Sequence, residues 1–266
     1  MSETRQLLDI QGRVAVVTGA GQGVGRQIAL DLAAHGAGAV VVNDINRERA
    51  ESVADEIRKS GTEAMGAQCD VVDFDAVGEM FTAIKDAYGP VGVLVNNAGN
   101  QGGDAAPPSV PFWEQGPAQW LPSIGVNLHG VLNCTRNALA QMVYGKSGGR
   151  IVTVISDAGR VGEINGLEAY SAAKAGAAGL TRSLARLGGR HLVTANCVAL
   201  GATRTPATEQ YLADPEQSKR ILSQYMVRRV GEPSDAAGMV TFLASAAGSW
   251  ITGQTIPVNG GYSVTL

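Results

Sequence analysis

RVAVVTGAGQGVG, residues 13–25, is the stretch on which the reading of the fold turns. Residues 13–17, in which the apolar run from Val14 to Val17 is unbroken, suit a strand buried on both faces of a parallel sheet. The run breaks at Thr18 into Gly19, Ala20, Gly21, Gln22, Gly23, Val24 and Gly25, and helical spacing over 24–35 follows directly. Glycines at such a junction permit a tight turn and let backbone N–H groups approach a pyrophosphate at the helix amino terminus. A chain with 35 glycines in 266 residues produces glycine patterns by chance. Placement between a buried strand and a helix is what makes this one read as a dinucleotide site.

Outward from that stretch, 39–42, 91–95 and 150–155 read as further buried parallel strands, and 63–69, 191–198 and 254–258 as weaker ones. Helical spacing at 47–59, 74–88, 123–143, 170–187 and 234–246 lies between them. Such alternation predicts βαβ units with right-handed crossovers, hence an α/β doubly wound parallel sheet (a Rossmann fold) in a single domain. Two irregular stretches, 99–122 and 201–226, follow predicted strands and are expected at the carboxyl edge of the sheet, where ligands bind. Residues 100–122 and 202–226 are therefore read as substrate-side loops.

Composition narrows the function. The formal charge of -3, from 24 acidic and 21 basic side chains, offers no cationic excess for nucleic acid or anionic lipid. No apolar run is long enough to cross a bilayer. Residues 1–11 carry Glu3, Arg5 and Asp9 and lack the apolar core of a signal peptide, so a cytoplasmic location is expected. Cys69, Cys134 and Cys197 form no CxxC pair, His35, His129 and His191 are scattered, and no metal site can be read.

The second strand ends at Asp44, nineteen positions beyond Gly25. An acidic residue there accepts hydrogen bonds from the adenosine ribose hydroxyls and repels a 2′-phosphate. Gln22 supplies no positive charge to offset that repulsion, and Arg47 and Arg49 are placed to face solvent from the next helix. The expected cofactor is NAD rather than NADP. Farther on, Tyr170 and Lys174 stand four apart on one face of a helix. Taking a proton from an alcohol while a hydride leaves needs a base with a pKa near the working pH. Free tyrosine lies about 2–3 units too high, and a neighbouring ammonium with a positive nicotinamide ring would lower it.

Taken together, 18–25, Asn96-Asn97-Ala98-Gly99, Asn127, Ser156 and 170–174 resemble the short-chain dehydrogenase/reductase family, and the resemblance runs from Gly12 to Gly261. It implies that Tyr170 is the general base in oxidation and the general acid in reduction. Lys174 would lower its pKa and hold the nicotinamide ribose, Ser156 would bond the substrate oxygen, and Asn127 would hold a water leading from Lys174 to solvent. It further implies that Gly19, Gln22, Gly23, Val24, Gly25, Ala98 and Gly99 line the cofactor, and that Asp70 and Val71 meet the adenine. Asn97 would serve either the adenosine-side ribose or the central strand, while Thr203 and Thr205 would contact the carboxamide and phosphate. The family's habit also implies a homotetramer, through the helices at 123–143 and 170–187 and the carboxyl-terminal segment.

Departures from the family pattern carry their own expectations. Leu200 replaces the usual Pro before Gly201 and should loosen the backbone beside the nicotinamide. The interval from Ser156 to Tyr170 is one residue longer than the commonest spacing, which puts Asp157 where the serine often stands. Alignment on Gly159 favours Ser156 nonetheless. Gln101, Phe112, Trp113, Trp120, Asp157, Arg160, Leu167, Tyr211 and Met226 are candidate linings of the substrate pocket, with Arg160 or Arg204 able to meet an acidic group. The run SDAGRVG, 156–162, resembles members acting on acyl-CoA-linked or alicyclic hydroxyl groups. The small-molecule substrate is thus read as a hydroxyacyl-CoA or a cyclic, steroid-like alcohol. A ketoacyl reductase of fatty-acid type, which would prefer NADPH, and a non-catalytic dinucleotide sensor or scaffold remain the alternatives.

Overall fold

The computed structural model describes residues 7–100, 110–164, 166–206, 208–209 and 213–264. All seven predicted strands form: β1 (Val14–Thr18), β2 (Ala39–Asp44), β3 (Glu63–Gln68), β4 (Val91–Asn96), β5 (Gly149–Ser156), β6 (Val193–Leu200) and β7 (Thr255–Val258). They make one parallel sheet in the order β3-β2-β1-β4-β5-β6-β7. The order reverses between β1 and β4, which opens the crevice for a ligand at their carboxyl ends.

Continuous apolar strands work because both faces are covered. Ala15, Val17, Val40 and Val42 face α1 (Gly23–Ala34), α2 (Arg47–Lys59) and the last helix of the chain, where Ile28, Leu32, Ile57 and Leu243 are fully buried. Val14, Val16, Ala39 and Val41 face the other way, onto Phe81 and Ile84 of α3 (Phe74–Tyr88) and onto Met142 and Leu184. Each fully buried side chain of this size contributes roughly 1.5–3 kcal/mol, so the sheet's placement is strongly determined.

The long helix predicted over 123–143 is three pieces: α4 (Pro117–Ile124), a π-helical turn (Gly125–Gly130) and α5 (Val131–Gly145). Helical spacing alone does not reveal an inserted π turn, and such turns recur at functional sites. A short α6 (Ala158–Val161) precedes α7 (Glu168–Gly188). Inside 202–226, read as irregular, stands α8 (Pro215–Leu222), followed by α9 (Pro233–Ala244). No helix among the described residues is long and apolar enough to cross a membrane.

Candidate active site

The glycine loop joins β1 to α1 at the reversal point. Gly19 has φ +60°, and a Cβ on it would stand 2.8 Å from the Ala98 Cα. A Cβ on Gly25 would collide with the Gly19 carbonyl oxygen and the Asn97 amide, so α1 can start this close only with glycine there. Asn97 donates from Nδ2 to the carbonyls of Thr18 (2.9 Å) and Gly19 (3.0 Å), which ties β4 to the loop and the central strand. The backbone N–H groups of Asn97 and Ala98 both donate to the Thr18 hydroxyl at 3.0 Å. Gln22, the residue before Gly23 and Val24, gives α1 no side-chain cap, and no acidic residue stands in its first turn. The free N–H groups of that helix end, at the mouth of a glycine cradle, suit an anion such as a pyrophosphate. Thr205 closes over the loop, its Cγ2 lying 3.5 Å from where a Gly23 Cβ would be. Thr203 is buried, its hydroxyl donating to the Gly201 carbonyl at 3.1 Å and its own carbonyl accepting from Thr208 Oγ1 at 2.7 Å.

Asp44 ends β2 only 7% exposed. Its Oδ2 accepts the Gly21 N–H at 3.0 Å and its Oδ1 accepts the Asn46 N–H at 3.0 Å. The carboxylate is therefore fixed against the glycine loop. Arg47 and Arg49 are exposed, as expected, but Arg49 is not simply out in solvent: a Cβ on Gly21 would come 2.6 Å from the Arg49 Cβ and 2.7 Å from Asp44 Oδ2. Asp70 is exposed just past β3, accepting the Val72 N–H at 3.0 Å, and the buried Val71 offers its carbonyl to Asn133.

Across β4, a second group of candidates converges. Lys174 is 5% exposed and donates to the Val154 carbonyl at 3.0 Å; burial pushes its pKa down to about 8. Asn127 sits in the π turn, fully buried, donating to the carbonyls of Asn100 (2.6 Å) and Ser123 (2.9 Å). Among the described residues its Oδ1 has no partner, although buried acceptors are almost always satisfied. The point where a Gly99 Cβ would stand lies 2.8 Å from that oxygen and 3.1 Å from Lys174 Nζ. Only a glycine at 99 leaves this space open between ammonium and amide. Lys174 Nζ is also 5.7 Å from the Tyr170 ring centroid.

Burial raises the Tyr170 pKa, and the nearby Ser156 hydroxyl opposes the rise. The protein alone thus does not deliver the lowered value expected from Lys174, whose own charge burial disfavours. Ser156 Oγ accepts the Ala158 N–H at 3.2 Å, and a Cβ on Gly159 would stand 2.8 Å from the Lys174 Cβ. A glycine at 159 is what lets α6 pack this closely against α7.

Several expectations on the substrate side are corrected. Asp157 and Arg160 are not open to the pocket: Asp157 is 2% exposed and accepts Arg160 Nη1 at 2.7 Å. Arg204 pairs with Glu232 at 3.1 Å. Leu200 does not leave a slack backbone, because Gly201 donates to the Val258 carbonyl (3.3 Å) and Ala202 donates to the Tyr225 hydroxyl (2.7 Å). Phe112 stacks on Trp120 with centroids 5.8 Å apart, as a packing anchor would, and Trp113 is 83% exposed. Leu167 is half-buried just ahead of α7, and Met226 is exposed, its Cβ 2.8 Å from a Cβ built on Gly261. Gln101 and Tyr211 lie outside the described residues. Cys69, Cys134 and Cys197 are buried free thiols; burial pushes the first two up to about 11 and about 12 and raises the third. Among the described residues no three His, Cys, Asp or Glu side chains cluster as metal ligands would. Sequence reasoning missed Tyr225 and the carboxyl-terminal Asn259 and Ser263 as neighbours of the site. Their only signal was Asn259-Gly260-Gly261, which marks a turn and names no partner.

The comparisons agree with this geometry. A family model described as enoyl-(acyl carrier protein) reductase matches residues 19–263. The chain is 39% identical over 258 residues to (2S)-((R)-hydroxy(phenyl)methyl)succinyl-CoA dehydrogenase subunit BbsD of Thauera aromatica, covering 97% of this chain and 99% of that one. It is 39% identical over 249 residues to the 3-oxoacyl-(acyl-carrier-protein) reductase of Staphylococcus aureus, covering 93% and 96%. A solved structure of 7 alpha-hydroxysteroid dehydrogenase, complexed with NADH and 7-oxo glycochenodeoxycholic acid, superposes with a TM-score of 0.89 at 32% identity, over 98% of each chain.

Proposed function

Because the chain belongs to the short-chain dehydrogenase/reductase family, whose relatives are oxidoreductases acting on CH–OH groups with a nicotinamide dinucleotide, we propose that it interconverts a secondary alcohol and a ketone with NAD. The observation that carries this reading is the convergence at Gly99: a buried ammonium and an amide oxygen without a partner among the described residues open onto one space, beside the buried Tyr170 phenol, whose pKa the Ser156 hydroxyl holds down. Gly19, Gln22, Gly23, Val24 and Gly25 would hold the pyrophosphate, with Thr203 and Thr205 above it. Asp44 would take the adenosine ribose, and Asp70 and Val71 the adenine. Ala98 and Gly99, carried by Asn97, would border the nicotinamide side. When bound, that nucleotide accepts the hydride from the carbinol carbon in oxidation.

The rest belongs to the chain. The Ser156 hydroxyl donates to the substrate oxygen and holds it beside the Tyr170 phenol. Tyr170 Oη takes the alcohol proton in oxidation and returns it in reduction. Lys174 keeps a cation near the phenol and donates to the nicotinamide ribose. The unpartnered Asn127 Oδ1 receives a water through which the proton passes from Lys174 toward solvent. Similarity to a hydroxy(phenyl)methylsuccinyl-CoA dehydrogenase and a hydroxysteroid dehydrogenase supports a hydroxyacyl-CoA or an alicyclic alcohol as substrate. Similarity to a 3-oxoacyl reductase supports the reverse reaction on an acyl thioester as the second reading. We also infer a homotetramer, supported by Leu121, Leu132 and Leu187 standing exposed on α4, α5 and α7; a monomer in sedimentation at micromolar concentration would overturn it.

The test is absorbance at the reduced-nicotinamide band with NAD+ or NADP+ and a panel of hydroxyacyl-CoA esters, cyclic alcohols and hydroxysteroids. Signal with NAD+ that disappears in Tyr170→Phe is expected. Turnover that survives Tyr170→Phe would sink the assignment of the base, and NADH binding without turnover on any substrate would favour the sensor reading.

A further inference from the structure

Next to Ser156, a buried polar cluster joins parts of the chain about a hundred residues apart. Asp157 is 2% exposed, yet its carboxylate accepts from three side chains. Arg160 Nη1 donates to Oδ1 at 2.7 Å, while Asn259 Nδ2 (2.5 Å) and Ser263 Oγ (3.1 Å) donate to Oδ2. Arg160 Nη1 also donates to Ser263 Oγ at 2.8 Å, and Asn259 Nδ2 reaches the Ser263 carbonyl at 3.1 Å. The carboxyl-terminal segment touches the site region twice more. The Tyr262 hydroxyl donates to Glu163 Oε1 at 2.9 Å, and the Glu163 N–H donates to the hydroxyl of Ser171, the neighbour of Tyr170. The Tyr262 ring lies 5.2 Å from that of Tyr225, whose hydroxyl accepts from Ala202.

A buried carboxylate kept for stability alone is a poor choice, because an apolar replacement of similar volume is often as stable. Its worth is directional: three donors at fixed angles hold one backbone position. That position is the residue after Ser156, at the end of β5, where the Asp157 N–H also donates to the Leu200 carbonyl at 2.9 Å. We propose that Asp157 is a positioning residue, through which Arg160 of α6 and Asn259 and Ser263 of the carboxyl-terminal segment hold Ser156 beside Tyr170. The inference rests on the proposed roles of Ser156 and Tyr170. It assigns the segment 259–263 a part in the chemistry without contact with the reacting atoms.

Loosening the cluster releases Ser156 from Tyr170 and removes the one interaction that opposes the burial-driven rise of the phenol's pKa. The test compares the full chain, Asp157→Asn and Ser263→Ala, each paired with its own Tyr170→Phe counterpart. The ultraviolet phenolate difference within each pair isolates Tyr170. In Asp157→Asn its titration is expected to begin about 0.5–1 pH unit higher, a three- to tenfold smaller phenolate fraction at a given pH. Ser263→Ala, which leaves the carboxylate and its other donors in place, is expected to move it in the same direction by less. With NAD+ and an alcohol that the full chain oxidises, kcat falls about tenfold while the KM for NAD+ stays within about twofold. Unchanged titration in both variants overturns the proposal. So does a loss of kcat with lowered thermal stability but an unmoved phenol, the mark of a merely structural residue. If Asp157→Asn does not fold, the Ser263→Ala pair decides. Full turnover in the Tyr170→Phe chain, with Asp157 intact, would instead remove the catalytic reading on which the inference stands.

Discussion

Asp44→Asn is expected to erase most of the preference for NAD over NADP. The exchange keeps the shape of the side chain and one oxygen acceptor while removing the charge. Asp44 is 7% exposed and pinned through both oxygens, to the N–H groups of Gly21 and Asn46, so the carboxylate cannot swing out of the way of a 2′-phosphate. Two like unit charges about 4 Å apart at an effective dielectric near 20 repel by about 4 kcal/mol. A phosphate carries more than one charge, which raises the figure. Arg49, its stem packed beside Gly21, and the open solvent side both reduce it. A net discrimination near 3 kcal/mol corresponds to about a hundredfold difference in kcat/KM. Initial rates with each nucleotide, at a saturating level of one alcohol, give the ratio directly. The full chain should favour NAD+ by about a hundredfold, and Asp44→Asn should reduce that to within about tenfold. Thermal stability should change by less than about 1 kcal/mol, since only one backbone N–H loses its acceptor. A full-length chain that uses NADP+ as well as NAD+, or a ratio unmoved by Asp44→Asn, would refute the electrostatic reasoning.

Two further outcomes follow from the same geometry. Lys174→Met should abolish turnover yet stabilise the fold at neutral pH, because burial holds the amine well below its ordinary pKa of 10.5, at about 8. A depressed lysine pKa means the unfolded chain binds the extra proton more readily, so the penalty is complete below about pH 8 and fades as pH rises toward 10.5. The ceiling is about 3 kcal/mol at roughly 1.4 kcal/mol per pH unit, less the lost bond to Val154; equal melting temperatures at pH 7 would contradict it. Gly25→Ala should cost several kcal/mol and abolish NADH binding, because the new methyl meets the Gly19 carbonyl and the Asn97 amide with nowhere to go; retention of tight NADH binding in a fluorescence titration would count against the close-approach role of that glycine.

Much of this was legible before any coordinates. β1, β2, β4 and β5 could be read because they are buried along almost their whole length, so apolar continuity alone marked them; β3, β6 and β7 read more weakly, yet the half-exposed β3 came out within one residue of its observed end. The catalytic helix was legible through Tyr170 and Lys174, four apart on one face. What stayed hidden is of two physical kinds. The π turn that carries Asn127 adds one residue to a helix and leaves its composition helical, so 123–143 reads as one helix. The direction of Asp157 was the other. A carboxylate beside a candidate serine reads as substrate-facing until its donors are known, and these come from residues 259 and 263 at the far end of the chain.

These two blind spots bear on how the site is assembled. The groups that meet at Gly99 and Ser156 are held by residues outside their own motifs. The carbonyls of Asn100 and Ser123 hold the Asn127 amide, Val154 holds the Lys174 ammonium, and Asn259 and Ser263 hold the residue after Ser156. Motif spacing records the groups but not these holders. The holders nevertheless decide whether a phenol raised by burial stays beside Ser156, and whether a buried ammonium stays aimed at an open space. A glycine loop and a Tyr-x-x-x-Lys pair would bind a nucleotide on many such sheets. The tight attachment of the carboxyl-terminal segment to β5 is what makes this site depend on residues that no catalytic motif contains.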